Sequence, residues 1–162
     1  YLGYLKGYQT IKDSIADPAI GEIVHAAISE SGEGLIKEFG FDPEVHHAYV
    51  EKIFARYQNP FLEDEVLRVG REPIRKLEAG DRLIKPLTTT AAYGLPVDHL
   101  IFGAAAALRF DCPEDPQSVE LQAKIKAEGP AAALAAYSGL KPENPLFGRI
   151  LDVYNALAVA RK

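Results

Sequence analysis

The stretch DPAIGEIVHAAISESGEGLIKEFG, residues 17–40, decides the fold class of this chain. Asp17 followed by Pro18 is typical of a helix start, because an N-cap carboxylate accepts backbone N–H groups and proline suits the first helical position. Apolar residues then recur at helical spacing, and Gly40 is typical of a helix end. The apolar stripe consists of Ile20, Val24, Ala27, Ile28, Leu35 and Ile36. The stretch therefore predicts one long amphipathic helix.

The rest of the chain has the same helical character. Asp42-Pro43 repeats the start signal, and residues 62–77 predict one short helix and a loop, because Gly70 and Pro73 interrupt the pattern. Further helices are expected over residues 80–93 with a kink or break at Pro86, and over 97–110, 118–127, 131–137 and 145–160. No segment alternates with the period of a strand. We predict a single all-α domain over residues 1–162, with about seven or eight helices and no sheet.

Composition excludes several classes of protein. Hydrophobic residues make up 48% of the chain and charged residues 25%, as in globular proteins. The longest apolar stretch, residues 100–108, is far shorter than the roughly 20 residues of a membrane span. A net charge of -5 argues against nucleic-acid binding. The single cysteine, Cys112, cannot form an internal disulfide and no secretion signal is present, so we predict a cytoplasmic protein.

The start of the chain predicts a fragment. The sequence contains no methionine and begins with YLGYLKG, which reads as the middle of a structural element. We therefore expect the chain to be part of a longer protein.

Two Glu-x-x-His pairs, Glu22/His25 and Glu44/His47, suggest a carboxylate-bridged metal site. Ligands of such sites project into the bundle, whereas both pairs lie off the apolar stripes of their helices. We therefore expect no metal. His99, at the start of the most apolar segment, is interpreted as a structural histidine.

Motifs of hydrolases and nucleotide-binding proteins are absent from the sequence. There is no Gly-x-Ser-x-Gly, no Walker-type loop and no Gly-x-Gly-x-x-Gly. The acidic loop around Cys112 is expected to raise the pKa of the thiol, which disfavours a nucleophilic role.

Residues 68–85 form a basic segment in this acidic chain. Arginine binds phosphate and polyol oxygens through a planar fork and lysine adds a point charge, so several such side chains can converge on one anion. The alternative is solvated surface charge, and the residue pattern alone leaves both open. The basic residues are Arg68, Arg71, Arg75, Lys76, Arg82 and Lys85.

Several long strings resemble a known family. The string YLGYLKGYQTI, residues 1–11, is similar to the start of the C-terminal domain of bacterial mannitol-1-phosphate 5-dehydrogenases, which are long-chain polyol dehydrogenases. The resemblance continues over RYQNP at 56–60, RVGREPIRKL at 68–77, GDRLIKPL at 80–87, YGLP at 93–96 and GPAAALA at 129–135. It spans essentially the whole chain.

The resemblance implies NAD-dependent interconversion of D-mannitol 1-phosphate and D-fructose 6-phosphate without a metal. It also implies an N-terminal Rossmann domain that binds NAD, with the substrate held between that domain and this one. The family's Lys-x4-Asn-x2-His motif, whose lysine is the general base, is expected just before Tyr1 and is absent from the chain. Lys6 and Lys12 lack the spaced asparagine and histidine. The resemblance thus implies no catalytic residue here, and an inactive isolated chain.

The resemblance also implies which residues bind substrate. Arg68 matches the arginine that contacts the polyol and Lys76 a lysine on the same wall, while Arg75, Arg82 and Lys85 are weaker candidates for the phosphate. Two alternatives remain open at this point. One is a related domain of mannitol 2-dehydrogenase or hexuronate reductase type, and the other is a stand-alone helical module that binds an anion.

Overall fold

The computed structural model of this chain describes residues 1–59, 61 and 64–157. Within these residues every regular element is a helix, apart from one isolated bridge between Thr10 and Glu65, so the all-α prediction is confirmed. The helices are α1 (Leu2–Lys6), α2 (Ile11–Ala16), α3 (Pro18–Phe39), α4 (Pro43–Tyr57), α5 (Val66–Gly70), α6 (Pro73–Leu77), α7 (Ile84–Ala92), α8 (Leu100–Ala107), α9 (Pro116–Glu128), α10 (Pro130–Ser138) and α11 (Pro145–Ala156).

The predicted start and stop signals of α3 operate in the structure. The Asp17 side chain accepts hydrogen bonds from the backbone N–H groups of Ala19 and Ile20. Gly40 has a φ of 67°, a left-handed conformation that glycine adopts without strain. Asp42 caps α4 in the same way by accepting from the N–H of Val45. The predicted positions of both helices are confirmed.

The described residues hold eleven helices, more than the predicted seven or eight. The short helices were not predicted, because five or six residues hold too few apolar positions to show a helical period. Helices α1 and α2 precede the first predicted one, and residues 64–77 hold two helices instead of one. Pro73 starts α6 where a break was expected. The helix predicted over residues 80–93 starts later, at Ile84, so the kink or break predicted at Pro86 is wrong. Pro86 falls in the first turn of α7, where no N–H is required. The helix predicted over residues 145–160 ends at Ala156, because Leu157 is extended. Its predicted residues 158–160 lie outside the described residues, as does residue 62, the predicted start of the 62–77 region.

Helices α6 to α11 enclose the main hydrophobic core. Its centre is α8, in which Ala104 to Ala107 have no exposed surface, so that neighbouring helices approach closely on all sides. Helix α8 packs against α11, α3 and α7, while α6 packs against α9 and α10. Short helix α6 is therefore fixed to the core, which matters for the site below.

The apolar stripe of α3 is only partly covered. Ile20 is buried, but Val24, Ala27 and Ile28 are half-buried and line an open apolar groove of about 530 Å³. Tyr1 lies at the same groove.

None of the helices in the described ranges combines the length and the apolar character that crossing a membrane requires.

Candidate functional site

A polar cleft of about 700 Å³ lies where the end of α4 meets α5, α6 and the start of α9. We call it the cationic cleft. Its basic side chains are Arg56, Arg68, Arg71, Arg75, Lys76 and Arg82. Its acidic side chains are Asp64, Glu72, Glu114 and Asp115. With six basic and four acidic groups, the cleft carries an excess of positive charge although the chain is acidic overall.

The structure brings together four of the five predicted substrate-binding residues. Arg68, Arg75, Lys76 and Arg82 all line the cationic cleft. Lys85 is exposed on α7 and is not among the residues that line the cleft.

Lys76 is the most enclosed basic residue of the cleft, with 7% of its surface exposed. It is held there because its neighbour Leu77 is anchored in the core. Its Nζ donates to the carbonyl oxygen of Val69 at 2.6 Å and to that of Arg71. Burial lowers the pKa of Lys76, and the nearby charges of Arg82 and Arg75 lower it further. The ammonium thus fixes the turn between α5 and α6, and it also lies 5.7 Å from the centre of the Tyr1 ring.

The turn between α5 and α6 is strained and held from outside. Glu72 has a φ of 59°, the one positive φ among the described residues that are not glycine. Its backbone N–H donates to Asp115 Oδ2 at 2.7 Å. Asp115 is 4% exposed, and its other oxygen caps α9 by accepting from the N–H of Gln117 at 3.1 Å. Strain of this kind persists only where surrounding contacts hold it, and it concentrates at functional sites.

Three arginines of the cleft are paired with carboxylates. Arg68 pairs with Asp64 one helical turn away, Arg75 Nη2 lies 2.8 Å from Glu72, and Arg82 Nε lies 3.0 Å from Asp81. All three arginines are exposed, so these pairs contribute little to stability.

Arg56 and Arg71 differ from these three. Among residues 1–59, 61 and 64–157, neither forms an ion pair with a carboxylate. The Arg71 guanidinium donates from Nε to the carbonyl oxygen of Arg68 at 3.3 Å, which leaves its other N–H groups directed to the cleft or to solvent.

An aromatic cluster supports the wall behind the cleft. The rings of Tyr1 and Tyr4 contact Phe110 edge to face, with centroids 5.3 Å and 4.8 Å away. The Tyr1 hydroxyl donates to the carbonyl oxygen of Gly70 at 2.9 Å, and burial raises the pKa of that hydroxyl. The N-terminal helix is thereby joined to the end of α5.

The comparison with protein families agrees with this architecture. The family model described as the mannitol dehydrogenase C-terminal domain matches residues 1–158. The chain belongs to this family. It is therefore a domain of the polyol dehydrogenase type, and the family indicates an oxidoreductase as the intact protein.

In this mannitol dehydrogenase C-terminal domain, the histidines of the Glu-x-x-His pairs bridge α3 and α4. His25 Nε2 lies 2.8 Å from Glu51, and His47 Nε2 lies 2.6 Å from Glu33. Within the part of the chain that the structure describes, no three His, Cys, Asp or Glu side chains are grouped as a metal site requires.

His99 and Cys112 each contact a nearby carboxylate. His99 Nδ1 lies 2.7 Å from Glu30, whose carboxylate also accepts the N–H groups of His99 and Leu100 at the start of α8. Burial raises the pKa of the Cys112 thiol, in the predicted direction, and its Sγ donates to Glu114 at 3.3 Å.

Sequence reasoning gave no site role to five charged residues of the cleft, which are Arg56, Asp64, Glu72, Glu114 and Asp115. Arg56 and Glu114 reach it from elements distant in sequence, and no local signal marks them. Asp115 was recognisable, since Asp115-Pro116 repeats the pattern of Asp17-Pro18, yet we predicted the start of that helix at residue 118.

Proposed function

We propose that this mannitol dehydrogenase C-terminal domain forms the substrate-binding wall of an NAD-dependent enzyme that interconverts D-mannitol 1-phosphate and D-fructose 6-phosphate. Its family supports a polyol dehydrogenase. The observation that supports a phosphorylated polyol is the charge of the cationic cleft, whose lining holds six basic and four acidic side chains.

When Asp81, the partner of Arg82, is counted with the cleft, basic groups still exceed acidic ones by six to five, which favours an anion. A phosphate monoester carries a charge near -2 at neutral pH. Unphosphorylated mannitol has no charge to balance this excess. A hexuronate carries a single negative charge. The arginine forks also suit the geometry of phosphate oxygens.

The cleft also offers groups for the polyol chain. Carboxylates such as Glu114 accept hydrogen bonds from hydroxyl groups, whereas Arg68 and Lys76 donate to hydroxyl oxygens. These residues would bind and orient the substrate so that the reacting carbon faces the cofactor.

The cofactor and the catalytic groups would come from elsewhere in the intact protein. NAD accepts the hydride when bound, and we assign no NAD-binding residue to this chain. We propose that an N-terminal Rossmann domain binds NAD and that a lysine just before Tyr1 acts as the general base. The partners of this chain are thus its own N-terminal domain and a polyol phosphate, in a cytoplasmic enzyme without a metal.

Substrate competition in the intact protein tests the proposal. We expect NADH formation, followed by absorbance, with a kcat/KM for D-mannitol 1-phosphate at least about tenfold above that for D-mannitol, since a charge-assisted contact contributes about 1.5–3 kcal/mol. An equal or higher kcat/KM for D-mannitol or a hexuronate contradicts the proposal.

A further inference from the structure

We infer that Arg71 and Arg56 form the subsite for the phosphate group, in place of Arg75, Arg82 and Lys85. The inference rests on the proposed function for the identity of the ligand, a phosphorylated polyol. The two residues are identified from the ion pairs and hydrogen bonds of the cleft.

The backbone of Arg71 is held by contacts on both sides and at its own carbonyl oxygen. The preceding residue, Gly70, is buried so tightly that an added Cβ would lie 2.7 Å from the Phe110 ring. The following residue, Glu72, is fixed through its N–H by Asp115. The carbonyl oxygen of Arg71 itself accepts from the ammonium of Lys76. Because this backbone is already held on three sides, an anion that binds the Arg71 side chain does not have to order the turn as well.

Arg56 approaches the cleft from the opposite element. It lies in the last turn of α4, where the helix dipole favours a positive charge, and the carbonyl oxygen of Arg56 accepts the N–H of Asn59 at 3.2 Å. The two arginines thus come from separate elements and can bind one anion from two sides.

Each of the remaining basic groups is paired with a carboxylate, held by the backbone or placed outside the cleft. Asp64 neutralises Arg68, Glu72 neutralises Arg75 and Asp81 neutralises Arg82. The ammonium of Lys76 is held by two backbone carbonyl oxygens, and Lys85 lies outside the cleft. A phosphate would have to displace a carboxylate to bind the paired arginines, whereas Arg71 and Arg56 offer their N–H groups directly.

Titration of the chain with inorganic phosphate tests the residue assignment. Binding is followed by NMR chemical shifts at constant ionic strength and about pH 7.5, where phosphate is mostly dianionic. We expect saturable binding, with Kd raised about tenfold or more in Arg71→Gln and by a smaller factor in Arg56→Gln, since each loses charge-assisted hydrogen bonds.

Two matched variants serve as controls. Lys52→Gln removes an exposed charge from α4 one turn before Arg56, outside the cleft, and is expected to leave Kd unchanged. Lys85→Gln tests the candidate that the inference replaces. Circular dichroism and the melting temperature report whether each variant is folded. A Kd that is unchanged in Arg71→Gln, or that rises as much in Lys52→Gln or Lys85→Gln, overturns the inference.

Kinetics of the intact protein separate this inference from the proposed function. We expect Arg71→Gln to raise KM for D-mannitol 1-phosphate about tenfold or more and to change the slow oxidation of D-mannitol by a clearly smaller factor. A protein that oxidises neither compound contradicts the proposed function, even where phosphate binding to Arg71 and Arg56 persists. If Arg71→Gln lowers kcat/KM equally for both substrates, the phosphate subsite is contradicted, whereas the proposed dehydrogenase activity is not.

Discussion

Replacement of Asp115 by alanine tests how the turn beneath the cationic cleft is held. The carboxylate is 4% exposed and connects two elements through separate oxygens. One oxygen caps α9 at the N–H of Gln117, and the other accepts the N–H of Glu72, whose φ of 59° is otherwise unfavourable. Alanine removes both contacts and leaves the strained turn without its anchor.

The expected loss follows from these two contacts. An N-cap aspartate contributes about 1 kcal/mol, and a buried hydrogen bond to a charged acceptor contributes about 1.5–3 kcal/mol. We expect Asp115→Ala to lower the free energy of unfolding by about 3 kcal/mol. In a domain of this size each kcal/mol shifts Tm by about 2–4 °C, so Tm is expected to fall by roughly 6–12 °C.

Urea unfolding followed by circular dichroism measures this change, with the m value as a check on two-state behaviour. Asp111→Ala is the matched control, because Asp111 is an exposed aspartate of the same loop, and its replacement is expected to change stability by less than about 0.5 kcal/mol. Equal unfolding midpoints for the two variants would refute the anchoring role of Asp115.

Three further predictions concern packing and protonation. Gly70→Ala would place a Cβ 2.7 Å from the Phe110 ring, so urea midpoints should report a loss of about 1–3 kcal/mol; an unchanged midpoint contradicts the packing. Because burial raises the pKa of the Cys112 thiol, iodoacetamide at about pH 8 should react more slowly with the folded chain than with the urea-unfolded chain, and equal rates contradict this. Hydrogen bonds, chiefly from Lys6, lower the pKa of Asp17 to about 2, so its stabilisation is complete above about pH 4 and is lost as the pH falls toward 2. Asp17→Asn should lack this part of the acid dependence, and parallel stability curves for the two proteins contradict it.

The long helices were predictable because capping residues in the sequence mark where they begin and end. Asp-Pro pairs and glycines mark the ends of α3, and the structure confirms them. The short helices were not predictable, since five or six residues hold too few apolar positions to show a period. Helix α2 does carry a signal, a cap in which Thr10 accepts the N–H of Asp13.

The candidate site was predictable only in part. The basic segment gave the side chains of one wall, from Arg68 to Arg82. Lys85 belongs to the same segment but lies outside the cleft. Ile84 and Leu87 of α7 face the core, so Lys85 faces solvent. Which arginines are neutralised depends on tertiary contacts, and the approach of Arg56 depends on how α4 packs. Neither is encoded in a local pattern.

The most direct test of the central claim, that the cationic cleft binds a phosphorylated polyol, is the location of D-mannitol 1-phosphate on the isotope-labelled chain. NMR titration should shift the backbone amide signals of Gly70, Glu72 and Arg75, while D-mannitol at the same concentration should leave them in place. Shifts confined to the apolar groove beside α3, or equal shifts with both compounds, would contradict the account.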